Sequence, residues 1–355
     1  MASREQSRQP PIVDDIDESA LVAVIRQRSG ADRVDLLEQR RLGGGAVQEN
    51  RLLRVRCDGG TLNGVLPLVL RRDAPAQLPM SLGRAEEFAV LLVAHQAGVA
   101  VPEPLWLLEP GALGPNSSSC YLMRHVDGQA DARHLVRGEL STSQRESLLH
   151  ALGSTLARLH AHTPPLTALP FLATPGPGIA RQRVAALRAL LDTVAEPQPT
   201  LEWALSWLDR QAPVDRPTVL CHGDFRTGNY LVDAEWNLQA LLDWEFAHWG
   251  DPREDFGWFC ARFWRFGSLD RTAGGIGPVS ALLDGYRDAG GDAPDAAELG
   301  YWQVLADVRW GVIALLQAER HRCGRQPSLE LALTAELMPE IELCIVEGIR
   351  EALAA

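Results

Sequence analysis

The chain has 355 residues, 46% of them hydrophobic, which is enough to build real cores in two or three domains. Its 34 basic and 46 acidic residues leave a formal net charge of −12, which argues against nonspecific attraction to nucleic acid or to an anionic membrane. No apolar run is long enough to span a bilayer, and the first ten residues lack the apolar centre of a signal peptide, so a cytoplasmic protein is expected.

Residues 1–18 read as a flexible, polar, Pro-containing tail entering a helix over 18–27 that ends near Gly30. A strand over 34–42 and a second over 50–57 flank a turn that contains Gly43, Gly44 and Gly45. In the second strand Leu53, Val55 and Cys57 alternate with Arg54 and Arg56, and Asp58-Gly59 then opens a hairpin. A third strand over 65–71 runs into the pair Arg71 and Arg72. The helix over 83–96 carries Glu86 and Glu87 ahead of a stripe of Phe88, Leu91, Leu92 and His95, and Gly98 lies just past its end. Strands over 101–108 and 119–124, separated by the Gly/Pro/Ser-rich loop 111–118, complete a five-stranded sheet.

Beyond Arg124 the pattern is mainly helical. Ser143 with Glu146 makes a capping-box signal for a helix whose Leu148, Leu149, Leu152, Leu156 and Leu159 face a core. His160 and His162 at its end read as capping or packing groups. Helices over 176–195 and 200–211 precede short strands over 218–220, 230–232 and 238–242. Gly250-Asp-Pro252 reads as a helix start, with Asp251 as N-cap and Pro252 at the first helical position. Further helices are expected over 279–289, 296–322 and 328–353. Six scattered cysteines without a C-x-x-C pair disfavour a disulfide framework or structural zinc and are expected to be reduced.

The chemistry is concentrated in His222-Gly-Asp-Phe-Arg-Thr-Gly-Asn229 and in Leu241-Leu-Asp-Trp-Glu245. Asp224, Asn229 and Asp243 form, in that order, the set a phosphoryl-transfer site needs: a carboxylate for the attacking hydroxyl's proton, then an amide oxygen and a second carboxylate for magnesium. Singly, each piece is ordinary turn or strand-end chemistry. Together, between short apolar strands, they resemble the aminoglycoside phosphotransferase-like family of small-molecule kinases, over about 41–258. Leu68-Val-Leu-Arg-Arg72 and His-Gly-Asp-Phe-Arg look closest to its acyl-CoA dehydrogenase-associated branch, which favours an acceptor other than an aminoglycoside.

The resemblance implies an α+β, protein-kinase-like two-lobed fold. Its nucleotide-binding lobe would span 19–123 as a five-stranded antiparallel sheet with one main helix. A hinge at 124–130 and a mainly helical, catalytic and acceptor-binding lobe at 131–355 would follow. It implies Asp224 as base, Asn229 and Asp243 as ligands of Mg2+, and ATP or GTP as co-substrate. Arg226 would stabilise the transferring group, or be a solvent-facing loop arginine. The chain contains no lysine, which GC-rich codon usage explains most simply, so an arginine must stand where kinases carry the nucleotide-binding lysine. Arg71 fits that place, with Arg72 the alternative if the strand register differs by one. Glu87, or its neighbour Glu86, would pair with it.

The glycine turn would approach the phosphates, although a plain hairpin loop is the commoner reading. Met123 would lie deep in the nucleotide cleft or simply in the core, and His125 belongs to the hinge-like Arg124-His-Val-Asp-Gly128. His222, Asp251 and Asp255 are expected to brace the loop. Trp203, Trp207, Trp258, Trp264, Trp302 and Trp310 suit either cores or an aromatic-walled pocket. The expected partners are a nucleoside triphosphate and a small hydroxylated acceptor, with neither nucleic acid nor membrane. Oligomeric state is not legible. The competing expectation, motivated by the missing lysine, is a nucleotide-binding pseudokinase that regulates a partner protein.

Overall fold

The computed structural model describes residues 16–42, 48–73, 81–324 and 328–354. Gly43, Gly44 and Gly45 and nearly all of the expected tail lie outside them.

The described residues through 73, together with Leu105–His125, form one compact unit. Helix α1 (Glu18–Ser29) starts where the Asp17 carboxylate accepts the Ser19 and Ala20 backbone N–H groups, and it stops at Gly30, whose φ of 68° suits glycine. Strands β1 (Arg33–Arg41), β2 (Gln48–Asp58), β3 (Gly64–Asp73), β4 (Pro104–Leu108) and β5 (Cys120–Arg124) make a five-stranded antiparallel sheet in the order β1-β2-β3-β5-β4.

Alternation assigns the two faces of this sheet. Leu53, Val55 and Cys57 of β2, Leu68 and Leu70 of β3, and Cys120 and Leu122 of β5 share one core with Leu21 and Ile25 of α1. The residues between them, Val69 and Arg71 of β3 and Tyr121 and Met123 of β5, occupy the opposite face. There Val69 stands opposite Met123 and Arg71 opposite Tyr121. Arg72 has the parity of Leu68 and Leu70 and pairs with Glu49 at 3.0 Å.

Residues 81–104 and 126–354 form the second unit. It contains α2 (Arg84–Gln96), α3 (Ala132–Arg137), α4 (Thr142–His160), α5 (Ile179–Leu191), α6 (Pro199–Arg210) and the short strands β6 (Val219–Cys221), β7 (Tyr230–Val232), β8 (Leu238–Leu241) and β9 (His248–Gly250). Helices α7 (Arg253–Cys260), α8 (Val279–Asp288), α9 (Ala296–Arg322), α10 (Leu329–Leu333) and α11 (Met338–Ala354) follow. Strands β6 and β9 pair as one ribbon, β7 and β8 as another. The main core here gathers Val184, Leu201, Leu205, Trp302, Val308 and Ile345, so α5, α6, α9 and α11 pack together.

Several expectations change in detail. The sequence lobe ran unbroken over 19–123, but α2 belongs to the helical unit. Both its flanks are tied there: the Leu82 N–H donates to Glu245 O (2.7 Å) and the Leu241 N–H to Ala100 O (2.7 Å). The capping box of α4 is Ser141 with Gln144, two residues earlier than expected, because that pair satisfies the same reciprocal pattern. The helix expected over 328–353 is divided into α10 and α11 by a 3-10 turn at Ala335–Leu337, and Pro339 stands in the first turn of α11, where it displaces no hydrogen bond. Cys57, Cys120, Cys221, Cys260 and Cys344 are buried free thiols, and Cys323 is exposed. Among the described residues no helix is long and apolar enough to cross a membrane.

Candidate active site

The site is built on two neighbouring connections. Residues 222–229 link β6 to β7, and residues 242–247 link β8 to β9. Because β7 pairs with β8, the Leu242 N–H reaches Asn229 O at 2.8 Å, and the His222 Nε2–H donates to Leu242 O at 3.0 Å. Burial lowers the imidazole's pKa, so His222 is neutral at pH 7: Nε2 carries its proton and Nδ1 accepts the Asp224 N–H at 3.2 Å. His222 thus braces the loop. Gly223 has a φ of 80°, and a Cβ there would stand 2.1 Å from Phe246 O, so the turn before Asp224 admits no side chain.

Helix α7 fixes the loop from the other side. Asp255 accepts the N–H groups of His222 (2.7 Å) and Gly223 (2.9 Å), and His160 Nε2 of α4 lies 3.1 Å from the same carboxylate. Burial opposes the charge on Asp255, but His160, His222 and the Gly223 N–H together hold its pKa below the ordinary value. His160 Nδ1 meets the Tyr286 hydroxyl at 2.9 Å. Asp251 stands just before α7 and accepts the Arg253 N–H at 3.0 Å, while the Arg253 side chain grips both its carboxylate oxygens.

Asp224 receives three side-chain donors. The Trp258 indole N–H (2.6 Å) and Arg226 Nε (3.2 Å) donate to Oδ1, and Asn229 Nδ2 (2.6 Å) donates to Oδ2. The same Asn229 nitrogen also donates to Asp224 O at 2.9 Å. Both amide N–H groups are therefore committed, and the atom that remains is the carbonyl Oδ1, to which no donor is bonded among the described residues. A hard oxygen of this kind, with the Asp243 carboxylate on the adjoining connection, is the donor chemistry that suits magnesium. Arg226 lies over the Trp264 ring, its guanidinium 4.9 Å from the centroid. Trp258, Trp264 and Trp310 continue as an aromatic wall, with centroid separations of 5.4 and 4.9 Å.

The structure thus brings Asp224, Arg226, Asn229, His222, Asp251 and Asp255 together, with Asp243 on the strand connection bonded to them. In the other unit Arg71 shares a sheet face with Met123, and His125 follows β5, its N–H donating to Pro67 O at 3.2 Å. Glu87 lies on α2 and is bound by Arg84, whose other guanidinium nitrogen is 3.7 Å from Glu245. Sequence reasoning missed Arg84 and the contact of Trp258 with Asp224. The second left a signal: Trp258 follows Asp255 by three residues, so both sit on one face of α7.

Residues 38–299 match the family described as the APH phosphotransferase enzyme family. Acyl-CoA dehydrogenase family member 10 of Mus musculus is 30% identical over 223 residues, which are 62% of this chain and 20% of that protein; the chain spans about a fifth of that relative. A presumed aminoglycoside phosphotransferase from Ralstonia eutropha JMP134 superposes with a TM-score of 0.70 at 20% identity, covering 95% of this chain and 99% of that one. A spectinomycin phosphotransferase solved with ADP and spectinomycin gives 0.55 at 11% identity, covering 93% and 98%. These likenesses carry the two-lobed kinase-like fold.

Proposed function

We propose that this chain, which belongs to the APH phosphotransferase enzyme family, is a small-molecule kinase that moves the γ-phosphate of ATP or GTP to a hydroxyl of its acceptor, with Asp224 as the base. The acceptor oxygen bonds to the γ-phosphorus, the bond to the β-γ bridging oxygen breaks, the hydroxyl proton passes to Asp224, and the nucleoside diphosphate leaves. Asn229 and Asp243 would hold a magnesium ion whose charge offsets that of the phosphates. In this reading Arg226 remains close to the transferring group, Arg71 takes the place of the usual lysine, and the contribution of the protein is chiefly positioning.

The observation that carries the reading is the Asp224–Asn229 pair: a buried carboxylate fixed by three donors beside an amide whose free atom is an oxygen. A bound nucleotide and a small-molecule acceptor in the spectinomycin phosphotransferase support the substrate classes, not their identities. The deciding experiment is a screen of hydroxylated acceptors with magnesium ATP or GTP, on wild-type protein and Asp224→Asn. Transfer by the wild type that falls at least about a hundredfold in the variant, with nucleotide binding retained, is expected. Equal transfer by both would remove Asp224 from the base role.

A further inference from the structure

If Asp224 is the base, the tryptophan bonded to it acquires a role of its own. Trp258 is buried on α7, with its indole N–H 2.6 Å from Asp224 Oδ1. Its ring face carries the Arg309 guanidinium of α9 at 4.4 Å. Arg309 makes no ion pair among the described residues; it stacks on the indole face, and its charge is also attracted by the Asp224, Glu254 and Asp255 carboxylates. An indole N–H in this region is not partnered as a matter of course: those of Trp264, Trp302 and Trp310 are buried with no hydrogen-bond partner among the described residues. Burial of an aromatic ring does not by itself require an N–H donor aimed at a carboxylate, so packing alone does not call for the bond that Trp258 makes.

A carboxylate offers about two acceptor sites on each oxygen. On Asp224, Trp258 and Arg226 occupy both on Oδ1, and Asn229 occupies one on Oδ2. The remaining site is on Oδ2. We propose that Trp258 is a positioning residue for phosphoryl transfer: its indole N–H fixes the carboxylate so that the second site of Oδ2 faces the acceptor hydroxyl. Arg309 supports this from above. Its charge over the ring draws electron density from the indole and makes the N–H a stronger donor, while the stack holds the ring in place beside the carboxylate.

The test uses the full chain and magnesium-dependent hydrolysis of ATP or GTP, with water standing in for the acceptor. Trp258→Phe should lower kcat about 10- to 100-fold, the range for losing one charge-assisted hydrogen bond, while nucleotide KM changes less than about twofold. Combined with Asp224→Asn it should cause no further loss, because the indole acts through the carboxylate; a merely structural role would add its own loss to that of Asp224→Asn. Arg309→Met should lower kcat about threefold with the same non-additivity. Independently of turnover, the indole 1H–15N resonance assigned to Trp258 should move upfield in Asp224→Ala. Wild-type kcat in Trp258→Phe beside a crippled Asp224→Asn would overturn this inference alone. If Asp224→Asn itself turned over normally, the base assignment would fall and this inference with it. Should Trp258→Phe fail to fold, Arg309→Met and the indole resonance decide, and an unmoved resonance with undiminished Arg309→Met turnover overturns the proposal.

Discussion

Asp243 has a φ of 67°, a left-handed conformation that Asn and Asp adopt with little penalty and most residues do not. The substitution that isolates its proposed role is therefore Asp243→Asn, which keeps the shape and the backbone preference and removes one negative charge. Turnover should fall at least about a hundredfold and the magnesium concentration for half-maximal activity should rise, with the melting temperature nearly unchanged. Wild-type magnesium dependence in a folded variant would move the metal elsewhere. Asp243→Ala is the less informative change, since backbone strain of about 1 kcal/mol would be added to the lost ligand. At Arg71 the sheet itself distinguishes the two arginines that the sequence left open. Arg71 shares its face with Met123, whereas Arg72 has the parity of the α1-covered core and pairs with Glu49. Arg71→Ala should weaken nucleotide binding about tenfold, and Arg72→Ala should leave it within about twofold, in a titration followed by calorimetry. The opposite ranking would reassign the lysine's place to Arg72.

At the scale of elements, α7 is the part that turns a loop into a site. Asp255 is its anchor, because a single buried carboxylate accepts from two consecutive loop N–H groups and from His160 of α4. Asp255→Ala would leave those buried donors unsatisfied at a cost of about 3 kcal/mol or more, and a fall in melting temperature of several degrees is expected by calorimetry. Stability equal to wild type would mean that the loop is held without it. This anchor was legible as Asp255 in the sequence only through the family resemblance, in which an aspartate one turn into the following helix ties down the catalytic loop. Its partner His160 was legible only as packing, because 95 residues separate the two and no local spacing relates them. The same limit explains the errors at α4 and at α10 and α11. Two S-x-x-E/Q pairs two residues apart are equivalent by pattern, and a continuous apolar period obscured the break that Pro339 marks at the start of α11.

For the molecule as a whole, one acid sets a pH dependence of stability that no motif announced. Asp307, buried within α9, is pushed by burial up to about 7, despite the Phe263 N–H and the nearby Arg265 and Arg262. An unfolded aspartate titrates near 3.9. The folded state therefore holds the extra proton between those values, and the stability linked to it is complete below about pH 4 and is lost as pH rises through about 7. Asp307→Asn should consequently melt at a higher temperature than wild type at pH 8, and the two should converge toward pH 5; a variant less stable at pH 8 would show that the ionised acid is favourable there. The strands and the long helices could be read in advance because they depend on local period, and the spacing of Asp224, Asn229 and Asp243 already suggested that they sit on neighbouring connections. Asp307, Arg84 and Arg309 could not, since their meaning comes from what other elements place around them.

Of the six thiols, five are enclosed, and burial raises the pKa of Cys120 to about 11 and of Cys260 and Cys344 to about 12, so these are protonated as well as inaccessible at neutral pH. Cys323 alone is open to solvent, at the C-terminal end of α9. With no lysine side chain to compete for an electrophile, the native sequence already provides one attachment point. A maleimide dye at pH 7 should add once per chain, and intact-mass spectrometry should show a single adduct that Cys323→Ser abolishes. Such a label would place one probe per chain at a defined position without any engineered cysteine.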